Sequence, residues 1–151
     1  MNKLRGFTLA ELMVVMMILA IMGGVSLHSR QRWQQHQQLL QNARQIQHFL
    51  IRLRLDAHWY NRARVIDWKP DKPHCLKVVG GADCRSPGRD SVLVKTSQVM
   101  IESITEGMGF YGRENVARPG RIVIRNPSGS VHIIVSTRGR VRLCHYSEAP
   151  C

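Results

Sequence analysis

One carboxylate stands inside an otherwise uncharged stretch: Glu11 is the only charged side chain between Phe7 and Leu27. A charge at the centre of a bilayer costs about 2.5–3.5 kcal/mol on insertion scales, so a carboxylate there calls for a cationic partner. A second group with chemical potential is the even set Cys75, Cys84, Cys144 and Cys151, which contains no C-x-x-C pair. In an exported small domain such a set reads as disulfides; in the cytosol, metal or redox chemistry would come first. The simplest pairing is Cys75–Cys84 with Cys144–Cys151, although four cysteines allow three connectivities. A zinc site built from His74, Cys75, Cys84, Cys144 and His145 lacks the close ligand pairs such sites use, so no metal is expected. The third group is Arg138, Arg140 and Arg142, alternating with Gly139, Val141 and Leu143. In a strand that alternation puts three guanidinium groups on one face, as a solvated surface, a phosphate-binding one or a subunit contact.

No enzymatic signature accompanies these residues. There is no G-x-S-x-G, H-E-x-x-H, Gly-rich phosphate loop or helix-spaced carboxylate pair. No catalytic residue and no cofactor are expected. His28, His36, His48 and His58 read as polar-face residues of a long helix.

These groups must be carried by a small number of elements. The chain has 151 residues, enough for one folded domain at most, and a small domain gains from covalent restraints. Its formal net charge is +12. Removal of a leader containing Lys3 and Arg5 leaves 12 − 2 = +10. That balance favours anionic partners: lipid headgroups, acidic subunits or nucleic acid. Residues 7–27 form a run long enough to cross a membrane as a helix. Arg30 and Arg32 follow closely, so flanking charge alone does not orient the span. A signal anchor or a cleaved secretory signal would share the basic start and apolar centre, but neither explains Glu11.

Beyond residue 27 the sequence turns polar while keeping a helical period. Leu39, Ala43, Ile46, Leu50, Leu53, Ala57 and Tyr60 recur in steps of three and four, with Leu40, Phe49 and Ile51 flanking the stripe. One helix from about Phe7 to Tyr60 would measure roughly 80 Å. The rest reads as short strands at 65–68, 75–79, 91–95, 99–104, 121–125, 131–136 and 140–146, separated by Gly-, Pro- and Asp-rich turns. The expected fold class is α+β: a long N-terminal, partly transmembrane helix packed on a small antiparallel sheet domain. The expected divisions are a leader (1–6), a transmembrane or assembly helix (7–27), its amphipathic continuation (28–61) and an antiparallel β domain (62–151).

Gly6-Phe7-Thr8-Leu9-Ala10-Glu11-Leu12 resembles the type IV prepilin processing motif. The resemblance implies that a prepilin peptidase cuts between Gly6 and Phe7 and methylates the new amino group. It also implies that this amine pairs with Glu11 of a neighbouring subunit and sets the axial register. Many pilins carry a proline where this chain has His28; Gly23-Gly24 nearby offers another place for the helix to loosen. Phe110-Tyr111-Gly112, Gly120-Arg121-Ile122 and the run from Ser136 to Cys144 resemble the FimT/GspH class of minor pilins and pseudopilins. That class implies an inner-membrane, single-pass protein with its C-terminal domain in the periplasm. It is built later into a pilus among other minor and major pilins, and it helps initiate assembly. Gly139-Arg140-Val141-Arg142 resembles the G-R-x-R signature of DNA-binding members, which implies DNA as an alternative partner. A type II secretion pseudopilin is the remaining alternative.

Overall fold

The structure is a computed structural model that describes residues 8–71, 74–81, 84, 88–94, 97–112 and 116–145, excepting the side chains of 23–29 and 145. The chain divides into two compact units, Met1–Gln34 and Gln35–Cys151. A single helix, α1 (Leu9–Tyr60), supplies residues to both.

In the first unit every described side chain from Thr8 to Met22 is exposed, including Leu9 at 83% and Met13 at 70%. Apolar groups face outward on all sides of this arm, as in helices that bury themselves in lipid or among other helices. Among the described residues no helix is long and apolar enough to cross a membrane. The expected span over 7–27 includes Phe7 and the side chains of 23–27, which lie outside the described residues.

The second unit has nine strands in two antiparallel sheets. They are β1 (Arg64–Asp67), β2 (Cys75–Val78), β3 (Ser91–Leu93), β4 (Met100–Ile104), β5 (Gly109–Tyr111), β6 (Val116–Arg118), β7 (Gly120–Asn126), β8 (Gly129–Val135) and β9 (Val141–His145). One sheet has the order β3-β2-β1-β5-β6 and the other β4-β7-β8-β9. Seven strands fall where the β-prone runs predict them. β5 was legible only within the family pattern Phe110-Tyr111-Gly112, and β6 was not anticipated; each is three residues long.

The α1 segment from Leu39 to Ala57 provides one side of the core. Leu39, Ala43, Ile46, Leu50, Leu53 and Ala57 are all buried, as their period requires. Phe49, read as a flanking residue, is fully buried as well. Tyr60 departs from the predicted stripe and is 57% exposed. The helix stops there: Asn61 takes a left-handed φ of 48°, and Arg62 N–H closes back on the Ala57 carbonyl at 3.2 Å. That is the hydrogen-bond pattern of a Schellman C-cap, with Asn in place of the usual glycine.

Against this helix lie Ile122 and Ile124 of β7 and Val131, Ile133 and Val135 of β8, all buried. The pairings Ile122↔Ile133 and Ile124↔Val131 put these side chains on one face. Leu76, Val78, Val92, Phe110 and Ala117 contribute from the other sheet. Alternation at period two explains why His132 and Ile134 are less buried than their neighbours on β8.

Candidate functional site

The N-terminal site begins with a helix cap. Thr8 precedes α1, and its Oγ1 accepts a hydrogen bond from Glu11 N–H at 3.4 Å while its carbonyl accepts from the same N–H at 3.1 Å. Thr8-Leu9-Ala10-Glu11 therefore has the spacing of a capping box, with Glu11 three residues into the helix. A carboxylate there also faces the positive end of the helix dipole. The bonds to Thr8 are made by the Glu11 backbone N–H, which leaves the carboxylate's part at this site to the favourable dipole. Gly6 and Phe7, the expected processing and register residues, lie outside the described residues.

The arginine-bearing segment forms the connection between β8 and β9. Gly139 N–H donates to Ser136 O at 2.9 Å, and Ser136 N–H donates to Arg140 O at 3.0 Å. Gly139 has φ +72°, completing a three-residue hairpin loop (Thr137, Arg138, Gly139) of the type I plus bulge kind. The expectation of one strand face carrying all three arginines is corrected here. β9 starts at Val141, so only Arg142 is on a strand, while Arg138 and Arg140 belong to the connection. The bulge glycine takes an extra position, which breaks the period-two alternation before it reaches Arg138. All three arginines are exposed.

Three tethers hold this tip. Arg54 of α1 donates from Nη1 to the Gly139 carbonyl at 3.2 Å. Ala117 N–H of β6 donates to Thr137 O at 2.9 Å, joining the two sheets at this point. Ser136 Oγ accepts from Arg140 N–H at 3.1 Å. The tip is therefore a positioned basic loop. No sequence signal pointed to Arg54, since its i, i+4 neighbours say nothing about a carbonyl 85 residues away.

Cys75 and Cys84 are disulfide-bonded and buried at the foot of β2. Cys144 is also disulfide-bonded. Its expected partner Cys151 lies outside the described residues. Among the described residues no group of three His, Cys, Asp or Glu side chains could hold a metal ion.

The prokaryotic N-terminal methylation motif matches residues 1–27. That motif implies processing by a prepilin peptidase. A comparison with curated proteins gives no match. Among solved structures the chain is similar to the type IV minor pilin FimU of Pseudomonas aeruginosa, with a TM-score of 0.58 and 18% identity over 78% of this chain and 96% of that one. A second crystal form of FimU gives 0.54 and 18% identity over 74% and 97%. The minor pseudopilin EpsH of the type 2 secretion system of Vibrio cholerae gives 0.57 and 11% identity over 74% and 99%. The chain is prepilin-like at its N-terminus and has the α+β pilin fold, a long helix packed on antiparallel sheets.

Proposed function

We propose that this chain is a minor pilin: cut between Gly6 and Phe7, held in the inner membrane by its first helical segment, and drawn into a filament that it helps initiate. The observation that supports this most is the arm from Thr8 to Met22, apolar on every side with a single carboxylate at its start. Such an arm gains by packing among equivalent helices, where Glu11 meets the new amine of a neighbour and both charges find a partner. The Cys75–Cys84 disulfide suits a periplasmic domain. The chain acts as a structural subunit and as the substrate of a peptidase, with no catalysis of its own. Trp33, Asp56-Ala57-His58-Trp59 and the placement of the cysteines support a kinship with the enterobacterial prepilin peptidase-dependent proteins.

The test is incorporation into sheared surface filaments by full-length chain, wild type against Glu11→Ala. Loss of at least tenfold with Glu11→Ala is expected; equal incorporation would remove the register role. Pilus counts on cells lacking the gene address initiation, and unchanged counts would exclude a priming role. Recruitment by a type II secretion machine instead would show as lost secretion with pili intact.

A second reading has its own observation in the tethered, exposed Arg138, Arg140 and Arg142. Arginine matches phosphate in a bidentate way and makes binding salt-dependent. DNA retention by the full chain that falls with salt and with Arg140→Ala would support it. Absent or salt-independent retention, unchanged by Arg140→Ala, would end it.

A further inference from the structure

The outer face of the four-stranded sheet is basic by register. Ile122 and Ile124 turn inward to the core, so Arg121, Val123 and Arg125 of β7 point the other way. Arg121 pairs with Ile134 and Ile134 with Arg142, which sets two guanidinium groups on one face with a half-buried isoleucine between them. Arg140 stands opposite Ser136, at the end of the same ladder. All four arginines are exposed. Arg121, Arg140 and Arg142 make no ion pair among the described residues, while Arg125 pairs with Glu102 at 3.1 Å. Glu102 is the one carboxylate on β4, β7, β8 and β9, and these strands hold no Phe, Tyr or Trp. Met100, opposite Arg125 on β4, is 48% exposed.

These charges spread in two directions. Arg121 and Arg125 are about 13 Å apart along β7, and Arg121 and Arg142 about 10 Å apart across two strand spacings. Nucleic acid presents its phosphates along the lines of its strands, and a single strand also stacks its bases on aromatic rings. A bilayer presents its phosphates over a plane. We infer that this sheet face is a landing surface for an anionic membrane, with the arginines on lipid phosphates and Ile134 and Met100 at the headgroup boundary. The inference rests on the membrane anchorage proposed above, which keeps headgroups at high effective concentration around the second unit. Gly23-Gly24, where the helix is expected to loosen, supplies the freedom for that unit to lie over. Each arginine near an anionic surface strengthens binding about fivefold, and salt screens the gain. The surface is distinct from the hairpin tip, since Arg121 and Arg125 lie outside the connection that carries Arg138 and Arg140.

Full-length chain in nanodiscs of phosphatidylcholine, with or without phosphatidylglycerol, tests this. The readout is the rate at which phenylglyoxal modifies each arginine, followed by peptide mass spectrometry. Arg121 and Arg142 should react at least fivefold more slowly in the anionic discs, and molar salt should abolish that protection. Arg44 and Arg52, exposed on α1, are the controls and should change less than twofold. Arg121→Gln should weaken the protection of Arg142 at least threefold, with Cys75–Cys84 closed, while Arg138→Gln leaves it unchanged. Equal rates in both kinds of disc, equal protection of Arg44 and Arg52, or protection that survives molar salt would overturn the inference. So would a DNA duplex that protects Arg121 and Arg142 in phosphatidylcholine discs as well as anionic lipid does. Protection by anionic vesicles of a chain that carbonate washes out of the discs would keep this surface and sink the anchorage. A chain firmly held in anionic discs with Arg121 and Arg142 unprotected would do the reverse.

Discussion

The side chain of Asn126, at the end of β7, donates from Nδ2 to the backbone carbonyl of Gln35 in α1 at 2.7 Å. Its Oδ1 accepts from Ser128 N–H at 2.9 Å and Ser128 Oγ at 2.7 Å. One buried amide therefore fixes the Pro127-Ser128 turn and ties that turn to the helix, 91 residues away in sequence. At the other end of β8, Arg54 ties the Gly139 turn to the same helix. The two contacts pin both ends of β8 to α1.

Asn126→Ala removes three hydrogen bonds from a residue that is 7% exposed, with no replacement donor for the turn. Each net bond contributes about 0.5–1.5 kcal/mol, so a loss of about 2–4 kcal/mol is expected. Denaturant unfolding of the full chain in detergent, followed by near-ultraviolet circular dichroism, reads this. A loss below about 0.5 kcal/mol would mean that the turn is held without the amide.

Arg54→Ala should act locally. The exchange of amide hydrogens at Gly139 and Arg140 should accelerate, while global stability falls by only about 1–2 kcal/mol. Unchanged exchange at both amides would show that Ala117 and Ser136 suffice to hold the tip.

Gly109→Ala and Gly120→Ala make a controlled contrast. A Cβ at Gly109 would lie 2.6 Å from the Arg64 carbonyl oxygen and 2.7 Å from Val65 Cα, both backbone atoms of β1. At Gly120 the close neighbours all belong to one side chain, Met108, with Sδ at 2.6 Å, Cγ at 2.8 Å and Cβ at 3.0 Å, and no backbone atom among them. Overpacking of a rigid neighbour costs about 1–3 kcal/mol or more, and methionine yields more readily. Gly109→Ala should prevent β1–β5 pairing or lower the yield of folded chain several-fold, with Gly120→Ala far milder. Equal effects would place the strain elsewhere.

Cys75→Ser with Cys84→Ser opens a short loop whose ends are nine residues apart. Loop-closure entropy for that length corresponds to about 2–3 kcal/mol. The midpoint of denaturant unfolding should fall accordingly. Reductant should lower the wild type at least as far, since Cys144 is disulfide-bonded as well.

The ion pair between Arg125 and Glu102 spans 3.1 Å, but its side chains are 61% and 42% exposed. Exposed pairs contribute about 0–1 kcal/mol, so Glu102→Gln should change stability by less than about 0.5 kcal/mol. A larger loss would indicate that the pair anchors the β4 bulge between Ile101 and Ser103.

What the sequence determined by itself was whatever depends on local order. The period of Leu39 to Ala57 specifies a buried helix face, and the alternation of β7 and β8 specifies a sheet face to meet it. The lone Glu11 after Gly6-Phe7 specifies the prepilin-like start. Four cysteines with no close pair pointed to disulfides, and Cys75–Cys84 is one of them. The tertiary structure decided how distant segments meet. Nothing local to Arg54 or Asn126 foretells the carbonyls they reach, because hydrogen bonds 85 and 91 residues apart leave no period in the sequence. Nor does alternation alone foretell the bulge at Gly139 that takes Arg138 and Arg140 off the strand. A hairpin's register is set by its loop, and here the loop is tied down by the helix and by the second sheet. The exposure of Trp59, Tyr60 and Tyr111 was equally invisible, since an aromatic residue at a helix end reads as core until the fold shows that nothing covers it.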